Sequence, residues 1–151
     1  MGRTRVQIAV GHPAERVWAM WADLGRWASF VDGFAHVDKL QGEWPADGAR
    51  LLWRSHPGGR GRVVERVVVS VAPELLRTDV EDAKLRGTQT LELRPAEEGV
   101  VAALELDYEL KEPPPLSFVV DPLFIRRALG DSLRRSLVRL GRELDADREL
   151  I

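Results

Sequence analysis

The sequence predicts an α+β fold in which a curved, seven-stranded antiparallel sheet wraps around one long C-terminal helix. Three observations predict it. A strand and two short helices open the chain, six strand-like segments follow between residues 34 and 110, and one long amphipathic helix closes it. A sheet with one apolar face needs a cover, which the last helix can provide.

Composition restricts the class of protein. A chain of 151 residues, with 44% hydrophobic and 30% charged residues, is expected to form one globular domain over residues 1–151. A net charge of −2 predicts no general attraction to nucleic acid, and the lack of cysteine excludes disulfides and thiolate metal sites. With no signal peptide and no run of ~20 apolar residues, we expect a cytoplasmic protein without a membrane span.

The first elements follow from hydrophobic spacing. Arg5–Val10 alternates with a period of two, which is typical of a strand. Pro13 suits a helix start, and one helical face then carries apolar residues at i, i+3, i+4 and i+7. A second short helix is predicted over Arg26–Phe30. The residues of that first face are Ala14, Val17, Trp18 and Trp21.

The middle of the chain is divided by glycine and proline turns into β-branched or alternating segments. The last of these segments alternates most clearly, with apolar residues on one face and acidic residues on the other. The predicted strands are Phe34–Leu40, Ala49–His56, Arg62–Val71, Leu75–Glu81, Gly87–Arg94 and Val100–Leu110.

A long helix is predicted after the proline run Pro113–Pro115, from Asp121 as N-cap to about Glu149. One helix is narrower than seven strands, so a sheet that curls around it can leave an apolar cavity. The helix's apolar stripe consists of Ile125, Leu129, Leu133, Leu137, Leu140 and Leu144.

Several motifs, taken in order, resemble the START-like/Bet v 1-like (SRPBCC) superfamily, and within it proteins of the polyketide cyclase/dehydrase type. The resemblance implies the helix-grip fold, with a deep hydrophobic cavity between helix and sheet, and it places Trp27 and Phe34 at the entrance. The residues that carry it are Pro13, Val17, Trp18, Asp23 and Trp27, then Gly48 and Trp53, then Gly61-Arg62-Val63-Val64-Glu65.

The predicted ligand contacts combine this resemblance with strand alternation, which assigns one face of each strand to the cavity. A cavity of this kind binds an apolar or aromatic small molecule, lipid or polyketide-like. The predicted ligand-binding residues are Trp27, Phe30, Phe34, Leu51, Trp53, Ser55, Val64, Arg66, Val68, Gln89, Leu91, Leu106, Tyr108, Leu129 and Leu133.

An enzyme is the first alternative, because a polyketide cyclase/dehydrase needs hydrogen-bond donors and an acid inside such a cavity. The resemblance implies an inward arginine and serine on the strand Arg62–Val71, but Ser70 and Val68 stand at those places. Alternation offers Arg66, Ser70 and Tyr108 as catalytic candidates. A shift of one residue would instead turn Glu65 inward and Arg66 into water.

Other features predict less. The three histidines lack metal-ligand spacing, and no cofactor is expected. The glycine-rich loop 56–61 suits a flap over the cavity, while Asp79, Glu81 and Asp82 are expected to form a solvated edge. Arginines of the last helix suit a solvated face better than contact with an acyl carrier protein or a membrane surface. A second alternative is an interaction or stress-response module with a filled cavity, and the oligomeric state stays open.

Overall fold

The computed structural model describes residues 2–111 and 122–150, and their helices and strands follow the predicted order. The predicted proline run Pro113–Pro115 and the predicted N-cap Asp121 lie outside the described residues. The elements are β1 Gly2–Val10, α1 Ala14–Ala22, a 3₁₀ turn Leu24–Arg26, α2 Trp27–Phe30, β2 Phe34–Gln41, β3 Arg50–Ser55, β4 Arg62–Val71, β5 Leu75–Glu81, β6 Leu85–Ala96, β7 Gly99–Leu110 and α3 Pro122–Glu149.

The seven strands form one antiparallel, curved sheet in the order β1–β7–β6–β5–β4–β3–β2. The chain passes from one edge strand to the other through α1 and α2, and then returns strand by strand until β7 pairs with β1. The predicted fold class is therefore confirmed, with the two short helices placed after the first strand.

Helix α3 covers the inner face of the sheet and packs chiefly against β1 and α2. Its predicted stripe is the buried one: Leu133, Leu137, Leu140 and Leu144 lie in the core, and Ile125 and Leu129 pack against it half-buried. Among residues 2–111 and 122–150, no helix is long and apolar enough to span a membrane.

Strand β4 contains a register shift that decides which of its side chains face α3. Before the shift, Glu65 pairs with Val80 and Val67 with Thr78; after it, Ser70 pairs with Leu76. Directly paired residues share a face, so the inner face changes from odd-numbered to even-numbered residues of β4. Strand β4 therefore presents Glu65 to the interior, and Arg66 to the outside.

Gly87 of strand β6 pairs with Tyr108 of strand β7 and leaves no room for a side chain between the two strands. A Cβ atom on Gly87 would lie 2.0 Å from the carbonyl oxygen of Asp107 and 2.8 Å from the Cα of Tyr108. Because both contacts are with backbone, only a shift of the strands could relieve them.

We therefore expect Gly87→Ala to lower the free energy of unfolding by at least about 1–3 kcal/mol, which is the usual cost of adding an atom to a fully packed site. Urea denaturation would measure it. The neighbouring variant Thr88→Ala, on the outer face, serves as control and is expected to change stability far less. A Gly87→Ala variant as stable as the control would contradict the close approach of the two strands.

Candidate ligand-binding site

Six aromatic side chains, which we call the aromatic cluster, fill most of the space between α2, the loop that joins β2 to β3, and the concave side of the sheet. Trp27 stands at its centre, with its ring centroid 5.8 Å from that of Phe34 and 6.3 Å from that of Trp53. The Trp27 indole N–H donates to the carbonyl of Trp21 at 2.8 Å, which fixes the ring. The cluster consists of Trp21, Trp27, Phe30, Phe34, Trp44 and Trp53.

Beside the aromatic cluster, a small cavity of about 40 Å³ remains between the sheet and α3. That volume suits two or three water molecules, whereas ligand pockets usually measure about 300–1,000 Å³. Unlike a purely apolar void, it has polar side chains in its wall. The lining residues are Trp21, Trp27, Val31, Asp32, Trp53, Arg60, Glu65, Gln89, Leu104, Ser132, Leu133 and Ser136.

Glu65 is the most unusual residue of this wall, because its carboxyl group is buried on the inner face of β4 with 3% of the residue exposed. Its two oxygens accept hydrogen bonds from the indole of Trp53 at 2.7 Å and from the hydroxyl of Thr78 at 3.1 Å. Burial raises the pKa of Glu65 despite these donors and the nearby charge of Arg60. The folded protein therefore favours the protonated acid more than the unfolded chain does.

Arg60 enters the same cavity from the loop between β3 and β4. Gly58 and Gly61 adopt positive φ angles of 86° and 76°, which let this short loop turn back toward the sheet. The guanidinium pairs with Asp82 through Nε at 2.8 Å and lies 5.7 Å from the ring centroid of Trp53. Its Nη2 atom is buried and has no hydrogen-bond partner among the described residues.

Asp32 closes the opposite side of the cavity by tying the segment after α2 to α3. Its carboxylate accepts hydrogen bonds from Ser132 at 2.7 Å, from Arg135 at 3.0 and 3.1 Å, and from Arg139 at 3.1 Å. Its own backbone N–H donates to Ser136 at 2.9 Å. The hydrogen bonds from Arg135, more than any other contact, hold the pKa of Asp32 below its ordinary value. The carboxylate that ties this segment to α3 therefore stays ionised.

The structure places four of the predicted ligand contacts in the cavity wall: Trp27, Trp53, Gln89 and Leu133. Five more lie in the core around it: Phe30, Phe34, Leu51, Leu91 and Leu106. Leu129 packs against that core half-buried. Ser55 has a structural contact, because its hydroxyl accepts from the N–H of Gly61 at 2.7 Å and shapes the loop that carries Arg60.

The prediction that Val64, Arg66 and Val68 face the cavity is wrong. Arg66 is exposed on the outer face, where it pairs with Asp79 at 3.3 Å, and Val68 is likewise exposed. Val64 and Arg66 line a groove of about 650 Å³ on that face, whose other walls are mostly charged side chains. The prediction assigned the wrong face of β4 to the interior. The inward position expected for Arg66 is occupied by Glu65.

The other two catalytic candidates lie away from the cavity wall. Ser70 shares the inner face with its pairing partner Leu76, but it stands beyond the register shift and does not line the cavity. Tyr108 is buried over Gly2, where a Cβ atom would come within 2.4 Å of the tyrosine ring. It borders the outer groove and not the internal cavity.

Asp82 was expected to lie at a solvated edge, but the structure buries it, with only 5% of the residue exposed. Its side chain accepts from the backbone N–H groups of Lys84 and Leu85 at 2.8 and 3.0 Å and pairs with Arg60. An aspartate two and three residues before such donors is the signature of an Asx turn, and that signal was present in the sequence.

Fold and site together define a helix-grip protein with a small, partly polar cavity under its C-terminal helix. Residues 1–145 match the model of the family described as polyketide cyclase/dehydrase and lipid transport. The chain therefore belongs to this family, as its sequence motifs suggested. No curated protein matches the sequence.

Solved structures of the same fold are distant in sequence. Protein MLL2253 of Mesorhizobium loti has a TM-score of 0.74 and 18% identity over 96% of this chain and 98% of its own. TTHA0849 of Thermus thermophilus has a TM-score of 0.72 and 21% identity over 97% and 99%. Norcoclaurine synthase of Thalictrum flavum, solved with dopamine and hydroxybenzaldehyde, has a TM-score of 0.68 and 13% identity over 95% and 86%.

The buried carboxyl of Glu65 predicts how stability depends on pH. In the unfolded chain its pKa returns to about the ordinary value of 4.5, so the unfolded state loses this proton first as the pH rises. The contribution of Glu65 is thus full below that value and is lost as the pH rises through the raised pKa of the folded state. We expect Glu65→Gln to remove this decline, as followed by urea denaturation between about pH 5 and about pH 9.

Glu81→Gln is the matched control for this experiment. Glu81 is exposed, and Lys111 lowers its pKa, so its effect on stability has the opposite sign and falls at acid pH. The control should keep the wild-type decline above the ordinary pKa of glutamate. An unchanged decline in Glu65→Gln would show that Glu65 ionises as freely in the folded protein as in the unfolded chain.

Proposed function

We propose that this protein binds a small apolar or aromatic molecule, lipid or polyketide-like, in the cavity between the sheet and α3. The observation that carries the proposal is one buried donor without a partner in the wall of a cavity whose other lining includes aromatic and aliphatic side chains. The Nη2 atom of Arg60 lies in the cavity wall, is buried and has no hydrogen-bond partner among the described residues. Membership of a family described by cyclase, dehydrase and lipid-transport activities supports hydrophobic ligand binding.

Binding requires the cavity to enlarge, because about 40 Å³ is far less than an aromatic ligand needs. The wall has two parts that lie on connecting segments: the glycine-containing loop that carries Arg60, and the segment with Val31 and Asp32. Such segments change conformation more readily than strands in the middle of a sheet. We infer that the ligand enters by displacing one of them together with part of the aromatic cluster.

Binding of a small aromatic hydrocarbon tests the proposed site. We expect ethylbenzene to raise the melting temperature of the wild-type protein in a saturable way, because a ligand that binds only the folded state stabilises it. Leu104→Phe, which adds a ring to the cavity wall, should abolish the effect. Native mass spectrometry of the freshly purified protein should also show a bound small molecule.

Leu93→Phe is the control, since Leu93 is equally buried but does not line the cavity. It introduces the same overpacking and should keep the response to ethylbenzene. If ethylbenzene leaves the wild-type melting temperature unchanged and only the bare chain is detected, the filled-cavity interaction module becomes the better description. Such a module would use a surface, such as the arginines of α3 against an acyl carrier protein.

A second candidate, a polyketide cyclase/dehydrase, is favoured by the carboxyl group of Glu65 in the cavity wall, whose pKa is raised by burial. Loss of water from a cyclised poly-β-ketone needs an acid that protonates the departing hydroxyl, and a buried carboxylic acid can supply that proton. Neither Arg66 nor Ser70 is placed for this role. Glu65 therefore replaces them as the residue on which such chemistry would depend.

If the cavity is catalytic, Glu65→Gln should slow the dehydration of a model β-hydroxyketone by at least about a hundredfold, the range attributed to a general acid. Product formation would be followed by absorbance. Glu81→Gln, at an exposed acid on β5, should react as the wild type does. Equal rates in all three proteins, or no reaction in any of them, would exclude the enzymatic function for this substrate class.

A further inference from the structure

The two edge strands of the sheet differ in how well they are protected against pairing with another chain. At one edge, β2 is interrupted by two register shifts between Phe34 and Lys39. At the other edge, all nine residues of β1 pair with β7 without a shift, and β1 contains no proline. Natural sheets protect their edges with irregularities, because a regular edge strand is a template for a further strand. The edge of β1 lacks this protection.

The backbone of β1 has hydrogen-bonding groups to offer at this edge. In a strand that is paired on one side only, every second residue directs its N–H and C=O away from the neighbouring strand. Within residues 2–111 and 122–150, no loop or turn forms a backbone hydrogen bond to residues 2–10. The free edge of β1 therefore presents donors and acceptors with the spacing that an added strand requires.

A groove of about 260 Å³ lies between β1 and α3, where Thr4 and Val6 line it from the strand. Helix α3 lies against β1 at Gly130, because a Cβ atom there would come within 2.8 Å of the hydroxyl oxygen of Thr4. Side chains of an extended segment point alternately to the two faces of the sheet. A segment paired with β1 would therefore direct every second side chain toward α3.

The wall that α3 contributes to this groove is basic. Three exposed arginines, Arg126, Arg127 and Arg134, line it together with one acid, Asp131. None of the three arginines forms an ion pair with another residue in the described part of the chain, whereas Arg135 pairs with an aspartate outside the groove. The excess of positive charge beside the edge of β1 favours a partner with carboxylates.

The spacing of these arginines agrees with that of a strand. Arg126, Gly130 and Arg134 follow one another at intervals of four residues, so they share one face of the helix. Arg126 and Arg134 are thus about 12 Å apart along the helix axis. Two residues four positions apart on a strand are about 13 Å apart. Acidic residues at alternate positions of an added strand can therefore approach both arginines.

Other occupants use only part of this surface. Pairing of β1 with the β1 strand of a second copy would bring two basic groove walls together, and like charges repel each other. A folded acidic helix could contact the arginines, but it would leave the backbone groups of β1 without partners. An extended acidic segment engages both the backbone edge and the charges.

We propose that the free edge of β1 binds an extended, acidic segment of a partner protein, which joins the sheet as an eighth strand. Its backbone pairs with β1, and its carboxylates at alternate positions pair with Arg126, Arg127 and Arg134. This interaction lies outside the cavity beneath α3 and does not depend on a ligand in that cavity.

A capped heptapeptide in which three glutamates alternate with valine and threonine is the probe for this site. We expect it to bind the wild-type protein in titration calorimetry and to bind more weakly as the salt concentration rises. The same peptide with glutamine in place of glutamate should bind about tenfold more weakly, as the loss of several exposed ion pairs allows. Amide chemical-shift changes should concentrate in Gly2–Val10 and in residues 126–134.

Two N-methylated versions of the peptide test backbone pairing. One carries the methyl groups on the glutamate nitrogens, and the other carries them on the valine and threonine nitrogens. Only alternate residues of an added strand donate to β1, so one version should lose binding and the other should keep it.

The double variant Arg126→Gln/Arg134→Gln tests the basic wall and should bind the glutamate peptide about tenfold more weakly. Both side chains are exposed, so the melting temperature should stay close to that of the wild type. Arg142→Gln is the matched control, because Arg142 is an exposed arginine of α3 that does not line the groove. It should bind the peptide as the wild type does.

Each other outcome overturns the proposal in a recognisable way. If the glutamate peptide does not bind at millimolar concentration, the edge is not a docking site. If both N-methylated versions bind equally, or neither binds, the acids contact the arginines without strand addition. If the glutamine peptide binds as tightly as the glutamate peptide, the partner need not be acidic. A dimer of the free protein that pairs through β1 would assign the edge to a second copy.

Discussion

The burial of Glu65 is the constraint on which the rest of the interior depends. A carboxyl group on the inner face of a sheet, facing a helix, has lost its water and must find donors within the protein. Trp53 on the neighbouring strand β3 and Thr78 on the neighbouring strand β5 supply them. Each of these hydrogen bonds fixes the rotamer of the donating side chain in the core. The carboxyl group of Glu65 therefore orients side chains on the strands at both sides of β4.

Through Trp53 the same constraint reaches the aromatic cluster. The Trp53 ring contacts those of Trp27 and Phe34, and the guanidinium of Arg60 lies over it. Arg60 in turn is held by Asp82, which also orders the turn between β5 and β6. A polar residue in the middle of the sheet is thus connected to two loops, and one of them, the loop that carries Arg60, borders the cavity.

Much of this fold could be predicted because the hydrophobic spacing of most segments agrees with the helix or strand that they form. Strands β4 and β5 have their predicted bounds, and the stripe of α3 is buried as predicted, since periodicity reports directly on which residues face a core. The face of β4 could not be predicted in this way. Val63, Val64, Val67, Val68 and Val69 put apolar residues on both faces, so alternation cannot decide between Glu65 and Arg66.

The register shift in β4 adds a second difficulty, because it reverses the alternation between Val67 and Val69. Extending one face along the whole strand therefore links Arg66 with Ser70, although the fold separates them. The role of Arg60 was hidden for a different reason. Its partner Asp82 lies 22 positions away, in another connection, and no local pattern reports a contact that only the assembled sheet creates.

The partly polar wall of the cavity also bears on whether the interior serves stability alone or also a binding function. A core selected for stability alone gains nothing from an unpaired guanidinium N–H, since an unsatisfied buried polar group costs about 1–3 kcal/mol. The chain nevertheless has Arg60, Glu65 and Gln89 around one small space in an aromatic surround. Local departures of this kind from optimal packing are typical of binding and catalytic sites, where stability is exchanged for recognition. Under the proposed binding function, the aromatic cluster would serve two states: it fills the space when no ligand is bound, and it would offer ring faces to a ligand when the loops move apart.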